Sequence, residues 1–201
     1  VMSPVLSSIA DVIGNKIKFL RFFCYLGSLS CMAMFFYSDS SLNWLGLLLN
    51  ITASIGFWGS LVFYNAYLPE IVSEEKMDKV SAHGYMFGYI GSVVLLTICL
   101  AMIQFAPEEK QGFFTRLSFL LTGFWWVGFG QIALRTLPNK KLNREIPKDI
   151  IKSSFKSLKD TFHHLNQFKN LRIFLAGFFF YSLAMQTIFL MAALFGSSEI
   201  G

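Results

Sequence analysis

The chain has 201 residues, of which 54% are hydrophobic, 17% aromatic and only 14% charged, with 23 Phe and a net charge of +5. A soluble domain carries roughly 25% charged and about 45–50% apolar residues, so an ordinary water-soluble globule is excluded. The charges are clustered and leave long uncharged windows, the mark of bilayer spans. The basic residues sit beside those windows, which points to a cytoplasmic-face bias rather than a nucleic-acid partner.

In chain order, Val1–Ala10 is apolar but too short to span, and reads as the end of a helix. Asp11–Lys18 (DVIGNKIK) reads as a short charged loop. Phe19–Tyr37 follows with one charge, Arg21, over 19 residues, about what a helix rising 1.5 Å per residue needs to cross roughly 30 Å of hydrocarbon. Ser38–Ser41 makes a turn. Leu42–Tyr67 is uncharged throughout, and Pro69 marks its exit. Glu70–Lys79 reads as a charged loop, His83–Phe105 as a third span, Ala106–Gly112 as a polar turn, and Phe113–Leu134 as a fourth span carrying Trp125 and Trp126. The polar stretch Arg135–Arg172 precedes a fifth span, Ile173–Phe195, and Gly196–Gly201 reads as a turn. A soluble bundle would keep a polar stripe on each helix, and none of the five has one. The apolar start at Val1 and the stop at Gly201 lead us to expect a fragment.

Alternation of sides groups 11–21, 70–79 and 135–172 on one face, with 15 of the 17 Lys and Arg. Only Lys110 and Arg116 fall on the other. The positive-inside rule places 11–18, 70–79 and 135–172 in the cytoplasm. Within the long stretch, Ile146, Ile150, Ile151, Phe155, Leu158, Phe162, Leu165, Phe168 and Leu171 recur at helical spacing, with Lys152, Lys156 and Lys159 near the opposite face. This predicts an amphipathic interfacial helix from about Pro147 to Leu171, with a regulatory target segment as the alternative. His163–His164 reads as a solvated pair.

The run Ser7-Ser8-Ile9-Ala10-Asp11-Val12-Ile13-Gly14-Asn15-Lys16 resembles the G-x-L-A-D-x-x-G-R-K signature between helices two and three of the major facilitator superfamily. Ser7 replaces its first Gly and Asn15 its first basic residue; Asp11, Gly14 and Lys16 remain. Gly14 permits a tight turn, and Asp11 at a helix end can meet a cation or a helix N-terminus. In that superfamily the loop stabilises one conformer from the cytoplasmic side. The resemblance makes the five spans helices three to seven. It divides the chain into 1–134 (the N-terminal half from the end of helix two), 135–172 (the linker between halves) and 173–201 (helix seven and the beginning of helix eight).

A narrower resemblance lies in Phe63-Tyr64-Asn65-Ala66-Tyr67-Leu68-Pro69-Glu70-Ile71, in the stretch from Val80 to Gly91, and in Tyr181–Thr187 with Ala192–Gly196. These are similar to the vacuole-effluxer-like branch, whose fungal members export amino acids from the vacuole; Ala184 stands where Gly is expected. The fold expected is all-α: a partial major-facilitator-type bundle with five full transmembrane helices, an incomplete N-terminal one and the amphipathic linker. The function implied is secondary transport of a small solute, amino acids or another metabolite, by alternating access, with or without a coupling ion. The alternative is a scaffold or receptor that retains the fold without transporting. The partners expected are the lipid bilayer, of a bacterial inner membrane, and the solute.

Asp11, Gly14 and Lys16 are the candidate conformational loop. Tyr64, Asn65 and Glu70 suit a cytoplasmic-end gate or packing contact. Near mid-bilayer the polar groups are Asn50, Thr52, Ser92, Thr122, Trp126, Ser182, Gln186 and Thr187. Of these, Asn50, Gln186 and Thr187 are the solute-facing candidates, with a helix–helix hydrogen bond as the competing role. Gly84, Gly88 and Gly91 predict a close-packing face. No span carries a charge at its centre, so proton coupling through a buried carboxylate has no support here. Cys24, Cys31 and Cys99 lie inside spans without ligand spacing. No phosphate loop, carboxylate pair or nucleophile set is present; no enzyme activity, cofactor or metal is expected.

Overall fold

The computed structural model describes residues 16–37, 43–138, 159–160 and 167–195, and every regular element among them is helical. Helix α1 is Lys16–Ala33, extended by a 3₁₀ turn at Met34–Phe36. Helix α2 is Asn43–Asn65, α3 the single turn Leu68–Ile71, α4 Glu74–Gln104, α5 Gln111–Thr136 and α6 Lys169–Phe195. Among the described residues five stretches are long and apolar enough to cross a membrane: Lys16–Phe36, Asn43–Ile71, Glu74–Gln104, Glu108–Thr136 and Lys169–Ile188. The protein is an all-α membrane protein with the five spans expected. The chain divides into two compact units, Val1–Ile151 and Lys152–Gly201. Most of the amphipathic segment expected at 147–171, with Asp11 and Gly14, lies outside the described residues.

Helix ends differ from the sequence expectation where charge lies within a helix rather than after it. Helix α1 already includes Lys16 and Lys18, ahead of the expected start at Phe19. The stretch expected as a charged loop at 70–79 is loop only in part. Ser73 is extended at the N-cap, and Glu74 and Glu75 occupy the first turn of α4, where the positive end of the helix dipole favours acids. The helix therefore runs more than two turns past the apolar window that began at His83. Helix α2 ends at Asn65, four residues before Pro69, which sits instead in the first turn of α3, where its missing N–H costs nothing.

In the first unit α1 lies between α2 and α5, and glycines set how closely they meet. A Cβ on Gly56 of α2 would collide with the backbone of Gly27 on α1. A Cβ on Gly59 would enter the Phe23 ring, and on Gly130 of α5 it would meet Cys24 Sγ at 2.6 Å. Such small-residue seams replace the hydrophobic effect where lipid is as apolar as the side chains. Phe63 is fully buried and stacks on Phe19 and Phe23, with ring centroids 5.2 and 5.8 Å apart. Ile17, Leu20, Tyr67 and Leu134 close this cluster at the Lys16 end.

Hydrogen bonds tie α1 on both sides. Thr52 Oγ1 of α2 donates to Ser30 Oγ (2.9 Å), and Tyr25 Oη donates to Gln131 Oε1 of α5 (2.8 Å). Thr52 and Gln131 are thereby used between helices. Helix α4 meets α3 and α5 instead. Of the close-packing face expected on it, Gly84 alone is closely approached among the described residues, by the Tyr64 hydroxyl; nothing lies within 4 Å of a Cβ on Gly88, and Gly91 reaches Trp125 only at 4.0 Å. The seam that does form uses Gly27, Gly56, Gly59 and Gly130, because α1 rather than α4 is the central helix.

The second unit contains α6. Its apolar surface is exposed within that unit, including Phe174, Phe178, Phe179 and Phe180, and it carries Gln186 and Thr187. Gln186 is exposed, and the Thr187 hydroxyl donates to the Leu183 carbonyl of its own helix at 2.8 Å.

Candidate functional site

Three cavities follow one another between α2 and its neighbours. The first, of about 440 Å³, lies between the end of α2, α3 and the first half of α4, lined among others by Tyr64, Asn65, Gly84 and Gly88. The second, of about 650 Å³, is bounded by α1, α2, α4 and α5. The third, of about 860 Å³, lies where α2 and α5 begin. Phe57 and Ser92 border both the first and the second; Asn50, Met34 and Phe119 border both the second and the third. The cavities thus form a row along the membrane-spanning direction of α2.

The middle cavity gathers Asn50 of α2, Ser92 of α4, and Thr122 and Trp126 of α5. These residues are distant in sequence and were each placed near mid-bilayer by position alone. No charged side chain lines it. Ser92 Oγ donates to the Tyr89 carbonyl and Thr122 Oγ1 to the Ser118 carbonyl, each at 2.8 Å. Each hydroxyl hydrogen is therefore held by its own helix, and the oxygen lone pairs remain for a guest. Phe57 meets Trp126 edge-on, with centroids 6.2 Å apart, between the middle cavity and the first.

At the far end of the first cavity the predicted cytoplasmic-end residues divide into two groups. Tyr64 and Asn65 line the cavity. The Tyr64 hydroxyl lies 3.1 Å from where a Cβ on Gly84 would stand, so glycine there admits the phenol to α4. Glu70 does not line it; it pairs with Lys16, whose Nζ lies 2.7 Å from Glu70 Oε1 and donates also to the Ala66 carbonyl at 3.3 Å. Both side chains are mostly shielded, at 14% and 25% exposure. The ammonium thus sits at the carbonyl end of α2, where a cation is favoured. The sequence named Lys16 and Glu70 for separate reasons; the fold joins them because α1 starts where α2 ends.

Arg116 was missed as a lining residue. It borders the third cavity with Asn43, Asn50 and Tyr37. Its signal was legible: a cation in the second turn of an apolar helix, on the face poor in basic residues.

A family model described as "Vacuole effluxer Atg22 like" matches residues 1–201. An uncharacterized MFS-type transporter, YxiO, of Bacillus subtilis (strain 168) is 36% identical over 201 residues, covering 98% of this chain and 46% of that protein. Autophagy-related protein 22-1 of Aspergillus niger is 29% identical over 130 residues, 61% of this chain and 21% of its own length. Autophagy-related protein 22 of Eremothecium gossypii is 29% identical over 143 residues, 67% of this chain and 27% of its own. The chain thus spans less than half the length of these relatives. No solved structure matches it significantly. With the motif, the five spans and a match along its whole length, the chain belongs to the vacuole effluxer Atg22-like family.

Proposed function

We propose that this chain forms part of a secondary transporter that moves a small solute across a membrane by alternating access. The observation that carries the reading is the middle cavity, where Asn50, Ser92, Thr122 and Trp126 come together from three helices. A transporter site needs a few polar groups in an otherwise apolar chamber near the midplane, and this cavity has that composition. Family membership supports transport as the activity served. In this reading residues 1–134 belong to the N-terminal half, 135–172 is the linker, and 173–201, which carries Gln186 and Thr187, opens the second half.

The faces rich in Lys and Arg are cytoplasmic, of a bacterial inner membrane. The Lys16–Glu70 pair then locks the cytoplasmic ends of α1 and α2. Tyr64 and Asn65 guard the cytoplasmic mouth of the row. Gradient-driven uptake of labelled small solutes into proteoliposomes holding the full-length protein tests the reading. Uptake of at least one solute class is expected; binding without uptake across a broad panel would favour a receptor that kept the fold.

A further inference from the structure

The three cavities differ in the hydrogen-bonding groups they present, and the difference is sharpest at the end opposite Lys16. Among the residues lining the row, Arg116 is the one that carries a full charge. Its Nε donates to the Gly112 carbonyl one turn back, at 3.2 Å. That bond occupies Nε, and neither terminal nitrogen has a protein partner among the described residues. Asn43 is set similarly: the Tyr37 hydroxyl donates to its Oδ1, so the amide that remains is the NH₂ donor. Asn50 adds a second amide at the border with the middle cavity. The acids nearest Arg116 in sequence, Glu108 and Glu109, lie in the turn before α5, do not line the cavity, and pair with no cation among the described residues. Donors from two helices therefore line one cavity, and none of the described residues that line it is an acid.

We propose that the third cavity is an anion site that takes the carboxylate of an organic acid, with Arg116 as its charge partner and Asn43 and Asn50 as flanking donors. A guanidinium fork matches a planar carboxylate with two parallel hydrogen bonds, a geometry that ammonium cannot copy. The adjoining middle cavity offers hydroxyl oxygens and aromatic faces instead. A solute bound across Asn50 would then present an anionic head to Arg116 and an apolar or donor-bearing body to Ser92, Thr122 and Phe57. This inference rests on the transporter reading only for its purpose; the anion site stands or falls by binding alone.

The test is thermal stabilisation of the detergent-purified full-length protein by a series of short monocarboxylates, each beside its neutral amide, with chloride and inorganic phosphate as further arms. Carboxylates are expected to stabilise and their amides not. In Arg116→Gln the apparent affinity for carboxylates should fall at least tenfold while the melting point without ligand stays unchanged; Arg116→Lys should retain part of it. Equal stabilisation by acids and amides, or unaltered affinity in Arg116→Gln, overturns the proposal. Stabilisation by chloride or phosphate equal to that by carboxylates overturns the assignment to organic acids. Should Arg116→Gln lower the unliganded melting point, Asn43→Ala provides the second variant, expected to weaken carboxylate binding several-fold, and unchanged binding there counts against the site. Carboxylate binding that depends on Arg116, without flux of any solute, would contradict the transporter reading and leave the anion site intact.

Discussion

Lys16 and Glu70 carry the most specific electrostatics in the first unit. Breaking a shielded ion pair from one side leaves a charge without its counter-ion, which costs more than the pair contributes. Lys16→Ala or Glu70→Ala should each lower the melting point of the full-length protein, and the double variant should cost less than the sum. The coupling expected from such a cycle is about 1 kcal/mol. Strict additivity would show that the pair does not hold the two helix ends together. Lys16 has a second anchor in the Ala66 carbonyl, so Lys16→Ala should be the more damaging single change. The sequence could mark both residues, since a charge beside an apolar window stands out. It could not pair them, because that contact spans 54 residues and depends on where α1 begins.

At the scale of helices, α1 is the axis of the first unit, and its neighbours approach it through glycine. Gly56→Val places two methyl groups against the Gly27 backbone, which has no rotamer to yield. Overpacking of this kind costs about 1–3 kcal/mol, read as a lower melting point, whereas Gly88→Ala on the open face of α4 should be neutral. Equal effects at the two positions would mean that the seam does not govern the packing. Helix existence was legible from apolar windows of 19 residues or more carrying at most one charge. Helix ends were not: the acids at the start of α4 stabilise a helix terminus as readily as they populate a loop. Nor was the seam legible, because glycine spacing occurs on α4 as well as on α2, and only the packing partner separates them.

For the molecule as a whole, the asymmetry of Lys and Arg sets the orientation proposed. A single cysteine at Lys76 should react with an impermeant reagent only from the cytoplasmic side, and one at Lys110 only from the opposite side; the reverse pattern would invert the assignment. The middle cavity was half legible. Depth along each span selected Asn50, Ser92, Thr122 and Trp126, yet the same rule selected Thr52, which bonds Ser30 instead. Depth gives height in the membrane, whereas the direction in which a residue faces follows from which helix lies beside it.

Solute is proposed to pass through this row, and Ser92, at the junction of two cavities, is where a block acts on both. The direct measurement is gradient-driven solute uptake into proteoliposomes by the full-length protein and by Ser92→Trp, whose indole would fill the junction. Uptake is expected in the parent, with at least a tenfold loss in the variant and helical content unchanged. Uptake that is equal in the two proteins would contradict passage through the row.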